Sequence, residues 1–126
     1  MNALLRSILL LLVWLGLIKR PRYLARYAEQ HPSVAELAND DLVIVRSGSF
    51  TKWACFKCPC GCGQKIALSM QKERRPSWSV VVDWLQRPTI SPSVHQLAGC
   101  LSHFWIKRGD VEWTGGPHSF NPRRDQ

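Results

Sequence analysis

The stretch Cys55-Phe-Lys-Cys58-Pro-Cys60-Gly-Cys62-Gly63 puts four of the chain's five cysteines within eight residues. The fifth, Cys100, is followed three positions later by His103. Thiolate and imidazole are ligands that zinc prefers, and a structural zinc takes four of them in a tetrahedron. The set is drawn from Cys58, Cys60, Cys62, Cys100 and His103, with Cys55 in reserve. Pro59, Gly61 and Gly63 suit a tight knuckle, because glycine reaches the positive φ that brings neighbouring sulfurs round one centre. The competing reading is a disulfide set. Against it stand the odd count and the closeness of Cys58, Cys60 and Cys62, which leaves them badly spaced to bridge one another.

A metal staple also answers a problem of size. The chain has 126 residues, 45% of them hydrophobic, which is one domain plus extras. Much of the apolar content lies at the N-terminus, so residues 40–114 remain for a zinc-binding domain. A core that small is modest and usually needs a staple. A structural zinc supplies one, since apparent binding free energies of roughly 10–16 kcal/mol count toward folding.

Residues 3–18 read ALLRSILLLLVWLGLI, and Lys19, Arg20, Arg22 and Arg26 follow. A cleavable signal would end in small residues rather than a basic cluster. Sixteen helical residues reach roughly 24 Å against a hydrocarbon core of about 30 Å. Arg6 could snorkel and the bilayer could thin, so residues 1–20 are expected to be a helical membrane anchor. The positive-inside rule then puts the domain on the cytoplasmic side of the inner membrane, where reduced cysteines and zinc fit. The net charge is +8, but the cluster after the apolar run is set for anionic headgroups. No Lys/Arg stripe with interleaved aromatics follows, which disfavours nucleic acid as a partner.

Residues 21–39 read as a basic linker with a short helix over 34–38, introduced by the capping-box spacing Ser33-Val-Ala-Glu36. Leu42–Val45 is a β-rich run, and Ser47-Gly48-Ser49 turns it into a partner strand over 50–56. Further strands are expected over 65–70, 77–84 and 101–107, with 111–114 returning as a hairpin around Arg108-Gly109-Asp110. Pro88 and Pro92 make 84–93 a loop, and 115–126 a fraying tail. The fold class is therefore mainly β: a small antiparallel, zinc-stabilised β-domain preceded by an N-terminal hydrophobic helix. Five tryptophans fall on these strands or their ends, where large aromatics fill a small core.

Taken as an ordered set, certain residues of 40–114 resemble an uncharacterised bacterial family. They are Cys58-Pro-Cys60-Gly-Cys62-Gly63, Arg75-Pro-x-Trp78, Ser91-Pro-Ser-Val94, Gly99-Cys100-x-Ser102-His103-Phe104 and Gly109-x-Val111-x-Trp113. Its members are small metal-binding domains, some encoded beside ubiquitin-like conjugation genes. The resemblance implies a metal-binding β-domain and a role in ubiquitin-like modification, with a processing peptidase as one form of that role.

For catalysis the residues themselves suggest one nucleophile, Ser102. It cannot use His103, because neighbours in a strand point to opposite faces. A base would have to come from His95 or His118, oriented by Asp83. Two functions follow from different classes. The first is a membrane-tethered zinc module that binds a protein partner, such as a ubiquitin-like or conjugation protein. The alternative is a hydrolase, a peptidase that processes ubiquitin-like conjugates.

Overall fold

Leu42-Val-Ile-Val45 lacks polar alternation because both of its faces are covered. Leu42 and Ile44 enter the main core, while Val43 and Val45 enter a second apolar cluster. The computed structural model describes residues 2–73, 76–95 and 102–114. In it this run belongs to strand β2 (Asp41–Ser47), which pairs antiparallel with β3 (Phe50–Lys57), and β3 with β4 (Lys65–Ser69). The second cluster lies on the outer side of this sheet, where Leu37 packs with Val43, Val45 and Cys55.

The stretch read as a linker carries a strand of its own. β1 (Leu24–Ala28) lies parallel to β2 at the edge of the sheet, with Leu24 opposite Asp41 and Ala28 opposite Val45. A parallel neighbour needs a crossover. Here residues 29–40 supply it, with a short 3-10 turn at Val34–Glu36 that keeps the expected capping box of Ser33 and Glu36. Tyr23, just before β1, is completely buried, so the folded body begins well before residue 40.

A second sheet follows in the order β5 (Ser79–Val82), β6 (Pro88–His95), β7 (His103–Lys107) and β8 (Asp110–Trp113), all antiparallel. Its inward residues Ile90, Val94, Phe104 and Ile106 meet Leu42, Ile44, Phe56, Ile66 and Leu68 of the first sheet in one core. Phe56 and Phe104 touch edge to face across it, their ring centres 6.3 Å apart. β6 occupies the region expected as a loop. Pro88 opens the strand, where a missing N–H is tolerated, and Pro92 sits in a bulge. The bulge is explicit in the register: Ile90 faces Ile106 and Val94 faces Phe104, so β6 carries two residues more than β7 between these pairs.

The expected hairpin between β7 and β8 turns on Arg108 and Gly109, at φ 49° and 76°. Two successive positive φ values are what a two-residue hairpin loop requires. Gly109 is also pressed against the chain's beginning. Its carbonyl accepts from Tyr23 N at 2.8 Å, and a Cβ at this position would lie 2.5 Å from the Tyr23 carbonyl oxygen.

The N-terminal helix is shorter than the apolar run. α1 covers Ala3–Trp14, capped at its start by the Asn2 side chain accepting from Leu5 N at 2.8 Å. Gly16, at φ 76°, ends it: Gly16 N donates to Val13 O at 3.1 Å and Leu17 N to Leu12 O at 3.0 Å. This is the paired closure that a left-handed glycine gives a helix. Twelve residues rise only about 18 Å. No helix among the described residues is long and apolar enough to cross a membrane, so the spanning anchor expected over 3–18 is not supported.

Candidate functional site

β3 ends by delivering Cys58 to a tight loop closed by two main-chain bonds, Cys58 N to Gln64 O at 2.8 Å and Gly61 N to Cys58 O at 3.3 Å. Gly61 and Gly63 stand at φ 89° and 79°, the left-handed geometry expected of a knuckle. The loop gathers the sulfurs of Cys58, Cys60 and Cys62 within 4.8 Å of one another. Cys58 and Cys60 are 3.3 Å apart, and Cys62 N donates to the Cys60 sulfur at 3.4 Å. Four thiolates on a tetrahedral zinc, at about 2.3 Å each, stand roughly 3.8 Å from one another, so the spacing suits a metal. The group could hold a metal ion.

Cys55 belongs elsewhere. It lies on the opposite face of β3, completely buried, with its sulfur 3.6 Å from His31 Nδ1. Burial pushes its thiol above the ordinary range, despite the Lys65 ammonium nearby. Cys100 and His118 lie outside the described residues.

Residues 102 and 103 divide as strand alternation requires. Ser102 faces inward with no exposure, its hydroxyl 3.7 Å from the Cys58 sulfur. His103 faces outward, and its Nε2 lies 2.9 Å from the hydroxyl of Ser93. Among the described residues, His103 is not one of the group gathered round Cys58. Ser93 stands on the β6 bulge. The ring of His95, directly opposite His103 in the sheet register, stacks on the His103 ring at 4.5 Å and 12° between planes.

The main chain around this pair is held on both sides. Trp78 Nε1 donates to Ser93 O at 3.2 Å, and Thr114 donates to His103 O through N and Oγ1 at 3.1 and 3.2 Å. Partial burial, and next the charge of His95, hold the His103 imidazole below its usual range. A neutral imidazole accepts a proton, so at neutral pH His103 is in the form a general base needs.

Asp83 does not orient this base. Its carboxylate accepts from Leu85 N at 3.0 Å and from Arg87 N and Nε at 2.9 and 2.7 Å, in the turn between β5 and β6. Ser93 has a sequence signal of its own in the run Ser91-Pro-Ser-Val94. Reading that region as a loop hides it, because only a strand there brings Ser93 to His103.

A family described as the bacterial ubiquitination-like system serine protease BubE matches residues 27–114. The chain belongs to the BubE family. No curated protein and no solved structure matches. The BubE match encloses the cysteine knuckle, Ser93, His95, Ser102 and His103, and it leaves α1 and Tyr23 outside. The description agrees with the resemblance in its ubiquitination-like system and in the peptidase form of that role, which it specifies as a serine protease; it says nothing of a metal.

Proposed function

We propose that the chain is a serine hydrolase of a bacterial ubiquitination-like system, with Ser93 as nucleophile and His103 as its base. The observation that carries this is the 2.9 Å approach of Ser93 Oγ to the His103 imidazole, whose burial and neighbour His95 lower its pKa. A nucleophile and base at hydrogen-bond range are the minimum that acyl transfer needs. Ser93 Oγ adds to the substrate carbonyl as its proton passes to His103 Nε2. Collapse of the adduct expels the leaving amine or hydroxyl, which takes that proton. Water, deprotonated by His103, then releases the acyl group and restores Ser93. The family description favours this reading over an accessory interaction module, and the substrate class would be conjugates or precursors of a ubiquitin-like protein. Ser102 is the weaker nucleophile candidate because it is fully buried beside a thiol. A fluorophosphonate probe should label the wild type and Ser102→Ala, but neither Ser93→Ala nor His103→Gln. Labelling that survives Ser93→Ala would refute the assignment.

We infer further that the metal is a structural zinc, held by Cys58, Cys60 and Cys62 with Cys100 as fourth ligand. Cys100 precedes by two residues the serine that meets Cys58, which supports its choice. When bound, zinc would supply cross-linking of the β3–β4 loop to the segment before β7. Metal analysis should find about one zinc per chain, and a metal-free chain with an unchanged melting temperature would end this reading.

For localisation we propose that α1 lies in the plane of the cytoplasmic membrane surface. Leu9 alone is buried, while Leu4, Leu10, Leu11, Trp14, Leu15 and Leu17 are 51–80% exposed, next to Lys19 and Arg20. An exposed apolar face beside basic residues suits anionic headgroups. Full-length protein should sediment with phosphatidylglycerol vesicles and not with phosphatidylcholine vesicles. Failure to bind the anionic vesicles would rule it out.

A further inference from the structure

An open cleft of about 570 Å³ lies on the surface at the start of the β6 bulge, next in sequence to Ser93. Ser91 and Pro92 of the β6 bulge line it, so the chain runs from its lining straight into Ser93. Trp78 and Trp105 also line it, and Lys72 and Ser79 add polar groups.

Both tryptophans are fixed relative to the reacting groups. Trp78 donates from its indole to Ser93 O at 3.2 Å and from its main chain to Ser69 O at 2.8 Å. Its ring is thereby tethered to the Ser93 main chain. Trp105 stands two residues after His103, on the same face of β7. The Lys107 ammonium lies 5.3 Å from the Trp105 ring centre, a cation–π contact that further orders the ring. β5, which begins at Ser79 beside the cavity, is an edge strand of the second sheet. An edge strand offers main-chain groups along which an extended peptide can run.

We propose that the cleft between Trp78 and Trp105 is a specificity subsite. It takes a bulky apolar side chain of an extended substrate peptide, next to the bond that Ser93 attacks. The proposal rests on Ser93 being the nucleophile and deepens that reading. The cleft selects by contact: Trp78, Trp105 and Pro92 line it and would cover an aliphatic or aromatic side chain, whereas an acidic side chain there would lose hydration against apolar walls. Lys72, on the lining, suits a carboxylate elsewhere on the same peptide, at the solvent side of the bound residue.

The test uses the full chain and fluorophosphonate probes. One is a plain ethyl fluorophosphonate, and the others carry a dipeptidyl arm with leucine, glycine or aspartate nearest the phosphorus. The readout is each arm's labelling rate divided by the plain probe's rate on the same protein, so a change in Ser93 reactivity cancels. Wild type should favour the leucyl arm over the aspartyl arm by about ten-fold or more, the scale of a pocket that senses a methylene or two. Trp105→Ala should bring the leucyl ratio down to that of the glycyl arm. A wild type that labels at Ser93 without preferring leucine would overturn the subsite and leave the hydrolase standing. Full retention of the preference by Trp105→Ala would likewise overturn the subsite alone. Failure of the plain probe to label Ser93 would overturn both.

Discussion

Replacing Tyr23 by alanine should come close to unfolding the domain. Its ring has no exposure, meets the Phe56 ring edge to face at 5.3 Å, and its hydroxyl donates to Lys57 O at 2.5 Å, just before the cysteine knuckle. Removing a buried aromatic ring costs about 3–5 kcal/mol. The lost hydroxyl bond adds about 1 kcal/mol. Together these approach the lower end of the roughly 5–15 kcal/mol that holds a domain folded. Tyr23→Phe keeps the ring and strands only the Lys57 carbonyl, a loss of about 1–2 kcal/mol. At about 4–8 °C per kcal/mol for a domain of this size, the phenylalanine variant should melt roughly 5–15 °C below wild type. Circular dichroism melts and urea titration of wild type and both variants would measure this. An alanine variant melting within a few degrees of wild type would refute the placement of Tyr23 in the core. The phenol adds a signature in pH. Burial, ahead of the opposing Arg22 charge, raises its pKa far above the ordinary value. The unfolded phenol ionises near about pH 10, so stability present below that pH declines as pH rises beyond it. Tyr23→Phe should remove that part of the alkaline decline.

Gly109→Ala should cost about 2–4 kcal/mol, because it combines a positive φ with a Cβ 2.5 Å from the Tyr23 carbonyl oxygen, and a melt would register it. Asp83→Ala strands Leu85 N, Arg87 N and the Arg87 guanidinium, and should lower stability by about 2–3 kcal/mol in urea titration. On the proposed mechanism, with His103 as base, the acidic limb of kcat/KM should fall below pH 6.5, because its pKa is lowered; activity would be lost as pH drops through that lowered pKa. His95→Gln removes a positive neighbour that lowers this pKa, so the limb should move to higher pH, and a downward move would contradict the stacked geometry.

Much of the β-architecture is legible in the sequence because local chemistry and tertiary context agree. Leu42–Val45, the turn at Gly48 and the Arg108-Gly109 hairpin carry their own signals. The strands that escape such a reading contradict theirs. β1 reads LARYA, with Arg26 and Tyr27 both exposed, so a basic edge strand looks like linker. β6 contains two prolines, which argue against a strand unless one opens it and the other sits in a bulge. The knuckle is visible because its three sulfurs are local in sequence. Ser93 and His103 are ten residues apart and meet only through the bulged register of β6 on β7, which no local pattern encodes. Alternation correctly forbids a Ser102–His103 pair, and the same rule aims His103 at the outer face that Ser93 shares.

The Tyr23–Gly109 hydrogen bond has a consequence for biosynthesis. The chain leaves the ribosome N-terminus first, so Tyr23 is exposed to solvent long before Gly109 is made. Ala25 likewise awaits its partner Gln86. The β2–β3 hairpin is local and can assemble early on the nascent chain, but the first buried aromatic acquires its last partner only when the β7–β8 turn emerges. The N-terminal strand is thus secured late, by residues translated near the end of the folded body, and premature termination before that turn leaves Tyr23 without its closing contact.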